Sequence, residues 1–185
     1  MTRYVFPDNT VLVNFTLVDR HDLVEWIVRD QGAWGITVCR ECARGAKVPG
    51  QGGMSLWRDL FGKPLAPTAL ELADAQVFAQ QMRKPGENGP GKHMGEAETV
   101  AIVTRRELGA TFLTDDNDAR RLARSQGLIV VSTRWIIAMA EVFGKIGPDE
   151  TQSLLEHLET RGRHLGEPPS KDGYTAFVRD RKENR

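Results

Sequence analysis

Residues 95–120 read GEAETVAIVTRRELGATFLTDDNDAR. Glu96 and Glu98 flank an alanine at the start of an apolar segment whose spacing predicts a helix over 96–108. Thr111-Phe112-Leu113 is then a short β-prone run, followed by Asp115, Asp116 and Asp118 clustered around Asn117. DARRLARS, residues 118–125, predicts the next helix, and the apolar run 128–131 predicts a buried strand. Helices alternating with short apolar strands argue for a parallel sheet covered on its faces.

The flanking sequence extends the pattern. Tyr4-Val5-Phe6 predicts a strand that stops at Pro7-Asp8, and the apolar pattern over 11–18, broken by Asn14, predicts a helix. HDLVEWIVR, residues 21–29, is helical in its spacing and is stopped by Gly32. Ile36-Thr37-Val38 predicts a second strand and 39–43 the opening of another helix, so the chain begins β-α-α-β-α. Over 44–94 the composition changes: glycine, proline and lysine punctuate a segment around Trp57 and a helix that Pro67 and Thr68 open and that runs through 81. Two further helices are expected over 135–143 and 149–158, then a polar tail over 161–185.

The expected fold is therefore α/β: one three-layer α/β/α domain over 1–160 with a central parallel sheet, a loop-rich helical insertion over 44–94 and a C-terminal helical extension. Ligands of such sheets collect at the carboxyl ends of the strands. Asp8 follows the first predicted strand, Cys39-Arg40-Glu41 the second, and Asp115-Asp116 the third, which delivers carboxylates from distant parts of the chain to one edge.

Composition narrows the function classes. The 25 basic and 25 acidic residues balance, so any attraction to a polyanion must be local. No apolar run reaches the roughly 18 residues of a membrane span, and MTRYVFPDN lacks the apolar region of a secretory leader, which predicts a cytoplasmic chain. Cys39 and Cys42 have redox-type C-x-x-C spacing but read better as structural thiols, and His21, His93, His157 and His164 are too scattered for a zinc site. No phosphate-cradling glycine loop or nucleophile-elbow serine follows a strand. Trp34, Trp57 and Trp135 read as core.

Three pieces of the chain resemble the PIN-domain nucleases, the fold of the VapC-type toxins and related RNA-processing enzymes. VFPDNTVLVNF looks like the first strand and its acidic turn, ITVCRECA like the second strand and the helix bearing a glutamate, and GEAETVAIVTRRELGATFLTDDNDARRLA like the third acidic helix, strand and terminal aspartate cluster. IVVSTRWIIAMA and KIGPDETQSLLEHLETRG resemble a bacterial PIN subgroup that ends in a helical hairpin. The resemblance covers most of the chain outside the insertion.

It implies a metal-dependent endoribonuclease in which Asp8, Glu41, Glu96 and Asp116 are catalytic and hold Mg²⁺ or Mn²⁺, with Asp115 and Asp118 beside them. Glu98 is the alternate to Glu96, because residues two apart on a helix do not share a face. Thr10, Arg40, Thr114 and Arg120 are the expected substrate-binding residues; Thr10 stands where many members carry Asn or Ser. RNA is the implied partner, with a small antitoxin and a homodimer if the chain is the toxin of a toxin–antitoxin pair. The alternatives are a non-catalytic PIN-fold interaction module and a nuclease that prefers DNA.

Physical chemistry is consistent with that implication. Converging carboxylates repel one another and take up protons unless a hard divalent cation neutralises them. Arg105, Arg106, Arg121 and Arg124, with Lys84 and Lys92, are further cations that could grip phosphates or simply solvate helix faces.

Overall fold

The computed structural model describes residues 4–87, 89 and 91–168. Three short strands, β1 (Tyr4–Pro7), β2 (Ala110–Leu113) and β3 (Ile129–Val131), form a parallel sheet in the order β1-β2-β3. Phe6 lies opposite Phe112, and Phe112 opposite Val130. Helices α1 (Asn9–Leu17), α2 (His21–Val28), α3 (Ile36–Gly45), α4 (Trp57–Phe61), α5 (Ala69–Met82), α6 (Met94–Arg105), α7 (Asn117–Ser125), α8 (Thr133–Val142) and α9 (Pro148–Thr160) surround it.

Successive side chains of a strand point to opposite faces, and here each strand divides its apolar residues between two cores. Val5, Leu113 and Val131 join α1, α2, α3 and α8 on one face, where Trp34, Trp57 and Trp135 are also buried. Phe6, Phe112 and Val130 join α5, α6 and α7 on the other. The result is the expected α/β/α sandwich. Ile36-Thr37-Val38, by contrast, is not a strand: it forms the first turn of α3, and only isolated bridges, Val5 to Gly32 and Gly35 to Leu65, extend the pairing nearby. Two forces outweigh its β-branched composition. Val38 and Cys42, four apart, are buried together against the core, and the backbone N–H of Thr37 is capped by a carboxylate from α6.

Between α3 and α6 the chain makes a short 3₁₀ helix (Gly52–Leu56), then α4 and α5. Trp57 packs into the first core and donates from Nε1 to the Thr16 hydroxyl at 2.9 Å. Helix α5 opens on a capping box, in which Glu71 N–H donates to Thr68 Oγ1 and Thr68 N–H to Glu71 Oε2. The same Glu71 carboxylate receives both arms of Arg106 at 2.7 and 2.9 Å, and Asp74 receives Arg105. These two arginines therefore clamp α6 to α5. Thr68→Ala is expected to cost about 1 kcal/mol, the usual worth of an N-cap, read as a shift in the urea midpoint.

Candidate functional site at the carboxyl edge of the sheet

Asp8 follows β1 and extends its ladder, donating its N–H to Leu113 O at 2.7 Å. It stands at the N-cap position of α1 without capping that helix through its side chain. Its Oδ2 instead accepts from the hydroxyls of Thr10 and Thr114, the latter at 3.2 Å. Those hydroxyls in turn accept the backbone N–H groups of Asp115 and Asp116, at 3.4 and 3.2 Å. Thr10 and Thr114 thus tie the aspartate turn after β2 to the residue that ends β1.

Glu41 and Glu96 approach the same edge from helices. Glu41 lies in the middle of α3, not after a strand, and its carboxylate rests over the first turn of α6: a Cβ added to Gly95 would lie 3.2 Å from Glu41 Oε2. Glycine at 95 gives this carboxylate its room. Burial, and after it the Asp8 charge, pushes the Glu41 carboxyl up to about 7. Burial, Asp8, Glu41 and Asp116 together push Glu96 up to about 9. Asp8 is raised as well, chiefly by burial, with the Thr10 and Thr114 hydroxyls pulling the other way. Among the described residues, no lysine or arginine forms an ion pair with Asp8, Glu41, Glu96 or Asp116.

The remaining acids are engaged elsewhere. Both oxygens of Glu98, 2 % exposed, are taken by Thr37, whose N–H donates to Oε1 at 3.0 Å and whose hydroxyl donates to Oε2 at 2.6 Å. Glu96 and Glu98 therefore divide two jobs, one facing the carboxylates and one capping α3. Glu98→Ala is expected to lower stability by about 2 kcal/mol, since it removes both hydrogen bonds that a buried carboxylate makes to the half-buried first turn of α3, whereas Glu96→Gln should not lower it; urea unfolding in EDTA separates the two. Asp115 accepts from Asn14 Nδ2 at 2.9 Å and from Thr133 N–H at 2.7 Å, and burial pushes it up to about 6. Asp118 is paired with Arg121 at 2.7 Å and Lys84 at 3.6 Å. Asp116 caps α7 through Oδ1 alone, which receives Asp118 N–H and Ala119 N–H at 2.8 Å.

Of the expected substrate residues, Thr10 and Thr114 support Asp8, Arg40 is exposed on α3, and Arg120 is buried against residues 166–167. Asn14 and Arg163 were not singled out as site residues from sequence. Asn14 is fully buried and joins four segments, donating to Asp115, Thr133 Oγ1 and His164 O while accepting from Arg163 Nε at 2.6 Å. A polar residue interrupting the apolar run VLVNFTL was its signal. Arg163, also 3.4 Å from Thr10 O, had none: its place beside Asp8 and Asp115 depends on contacts across 149 and 153 positions.

A family model described as a PIN domain matches residues 5–172. The chain belongs to the PIN-domain family. PIN domains are generally nucleases, so the fold implies a nucleic-acid substrate. No curated protein and no solved structure matched the chain in the corresponding comparisons.

The donors at this edge suit a hard divalent cation in kind, being carboxylate oxygens supported by hydroxyls. Among the described residues no three His, Cys, Asp or Glu side chains are gathered closely enough to ligate one ion as they stand. Mutual repulsion opposes such gathering, and a cation would have to draw them together. Cys42 is buried, and burial, with the Glu41 charge after it, pushes its thiol up to about 12. No helix among the described residues is long and apolar enough to cross a membrane.

Proposed function

We propose that this PIN domain is a metal-dependent endoribonuclease that hydrolyses RNA phosphodiester bonds, with Asp8, Glu41, Glu96 and Asp116 holding Mg²⁺ or Mn²⁺. The observation that carries this reading is that buried Asp8 and half-buried Glu41 and Glu96 all have raised pKa values, the Asp8 charge adding to burial at both glutamates, with no lysine or arginine among the described residues in ion-pair contact with them. Such an arrangement costs stability unless a cation or protons offset it, and it is typical of sites built for a ligand. A bound divalent ion would supply the Lewis acid for phosphodiester hydrolysis.

The protein's own residues have separable tasks. Thr10 and Thr114 orient Asp8 and favour its ionised form, and Asp116 keeps Oδ1 on the α7 N-terminus, which fixes the direction of its other oxygen. Asn14 and Asp115 hold the turn after β2 against α8. Arg163 supplies a guanidinium beside the acids, suited to a phosphate oxygen of the strand. Arg40 is exposed on α3, and its proposed role is to grip the flanking phosphate backbone.

The test is incubation of a mixed single-stranded and structured RNA pool with purified protein in Mn²⁺, in Mg²⁺ and in EDTA, with DNA of the same sequences beside it. Cutting of RNA that EDTA stops supports the reading; cutting of DNA alone replaces it with the DNA-preferring nuclease, and no cutting with intact binding replaces it with the interaction module. The VapC-like toxin role, with a small antitoxin and a homodimer, is the more specific form of the proposal and comes from the sequence resemblance. It predicts growth arrest on expression that Asp8→Asn relieves.

A further inference from the structure

One helical turn beyond Asp116, α7 places Arg120 and Arg124 along a cavity of about 100 Å³ that Ser132, Trp135 and Glu167 also line. Arg120 is only 6 % exposed, an unusual place for a guanidinium unless it is paired. Its Nη2 meets Glu167 Oε1 at 2.7 Å, and Arg124 Nη2 meets Glu167 Oε2 at 3.3 Å. Two arginines thus converge on one carboxylate. Yet Arg120 Nε and Nη1 are buried with no hydrogen-bond partner among the described residues, so the carboxylate does not saturate the pair.

The carboxylate comes from residues 163–168, which are anchored independently of it. Leu165 is buried in the core and its carbonyl accepts Arg134 N–H at 2.9 Å, while Ser132 Oγ donates to Glu167 O at 2.5 Å. At Gly166, with φ 67°, a Cβ would fall 2.9 Å from Asp115 Oδ1 and 3.1 Å from Arg120 Nη1. The backbone at 166 therefore lies against both Arg120 and the aspartate turn, and the cavity neighbours the acidic edge. The Glu167 side chain itself is 59 % exposed and can swing away while its backbone stays docked.

We propose that this cavity is a binding subsite for a phosphate group, in which Glu167 occupies the position that the phosphate takes. A phosphate offers more acceptor oxygens than a carboxylate, enough for the arms of Arg120 that lack partners as well as for Arg124, and planar guanidinium forks suit it. Lying one turn of α7 from Asp116, the subsite would hold a second phosphate of the strand whose neighbouring phosphodiester lies at the acids. That assignment to an RNA strand rests on the nuclease reading; the phosphate chemistry does not.

The experiment is calorimetric titration in EDTA, with inorganic phosphate and separately with a single-stranded RNA oligonucleotide, into the wild type, Glu167→Ala and Arg124→Ala. Removing Glu167 is expected to tighten both ligands several-fold, and removing the exposed Arg124 to weaken both by about tenfold, the effect of one charge-assisted contact. Phosphate that fails to bind the wild type and Glu167→Ala overturns the subsite. Phosphate that follows the variants while RNA ignores them makes it a site for free phosphate and overturns the RNA assignment. Mn²⁺-dependent cleavage by the wild type is measured alongside: cleavage without phosphate binding sinks the subsite alone, and variant-sensitive binding without cleavage sinks the nuclease reading alone.

Discussion

Asp8→Asn is expected to lower metal-dependent RNA cleavage by on the order of 10³-fold, the several kcal/mol that an activating metal contributes, while raising the melting temperature of the metal-free protein. Asp8 appears among the causes of the raised pKa of both Glu41 and Glu96, and it is itself destabilised by burial. Asparagine removes that charge and keeps an oxygen for the Thr10 and Thr114 hydroxyls to donate to. The gain should be a few degrees, at about 2–4 °C per kcal/mol for a chain of this length. Opposite signs on activity and stability distinguish a ligand-holding carboxylate from one that merely supports the fold. A variant that loses both activity and stability would make Asp8 structural. Cleavage assays and thermal melts on the same preparation decide.

The second large effect is on pH dependence. Glu41 rises from 4.5 to about 7, Glu96 from 4.5 to about 9, and Asp115 from 3.8 to about 6. Between the ordinary values and the raised ones the folded protein holds more protons than the unfolded chain, so stability falls as pH rises through this window. The groups with lowered pKa, Asp22, Glu71, Asp74 and Glu87, have the opposite sign: their contribution is lost only as pH falls through their folded values, below the ordinary carboxylate range. Melts in EDTA from about pH 5 to about pH 8 therefore read the acidic edge, and the melting temperature is expected to drop by roughly 5 °C or more. Adding Mn²⁺ should restore more stability near pH 8 than near pH 5, because a metal takes ionised carboxylates. A flat profile in EDTA, or equal rescue at both pH values, would mean that the acids are not coupled as described.

The sheet was legible from short apolar runs because their alternation is local: Val5 and Phe6, or Phe112 and Leu113, declare two buried faces by their order alone. Asp8 and Asp115-Asp116 followed from those strands, since a parallel sheet brings its strand ends to one edge. Glu41 was expected on a helix, where it lies, but directly after a strand that does not form. Ile36-Thr37-Val38 favours a strand by composition, and the carboxylate that caps Thr37 lies 61 residues away. That same bond separates Glu98 from Glu96, a choice the spacing of the two residues could not make. Sequence left Arg105 and Arg106 open between phosphate contacts and a solvated helix face; Asp74 and Glu71, on a helix whose apposition to α6 no local pattern encodes, take them instead. Arg163 and Glu167 belong to a segment without periodicity, and only long-range contacts give them a place.

The most direct measurement is titration of Mn²⁺ into metal-free protein near pH 8, followed by the loss of the free-ion electron paramagnetic resonance signal, for wild type, Asp8→Asn and Glu96→Gln. If the acidic edge holds the metal, the wild type binds Mn²⁺ and each substitution weakens binding at least about tenfold, a loss in line with one charged ligand. No binding by the wild type, or equal binding by all three proteins, would contradict the assignment of these carboxylates as the metal site.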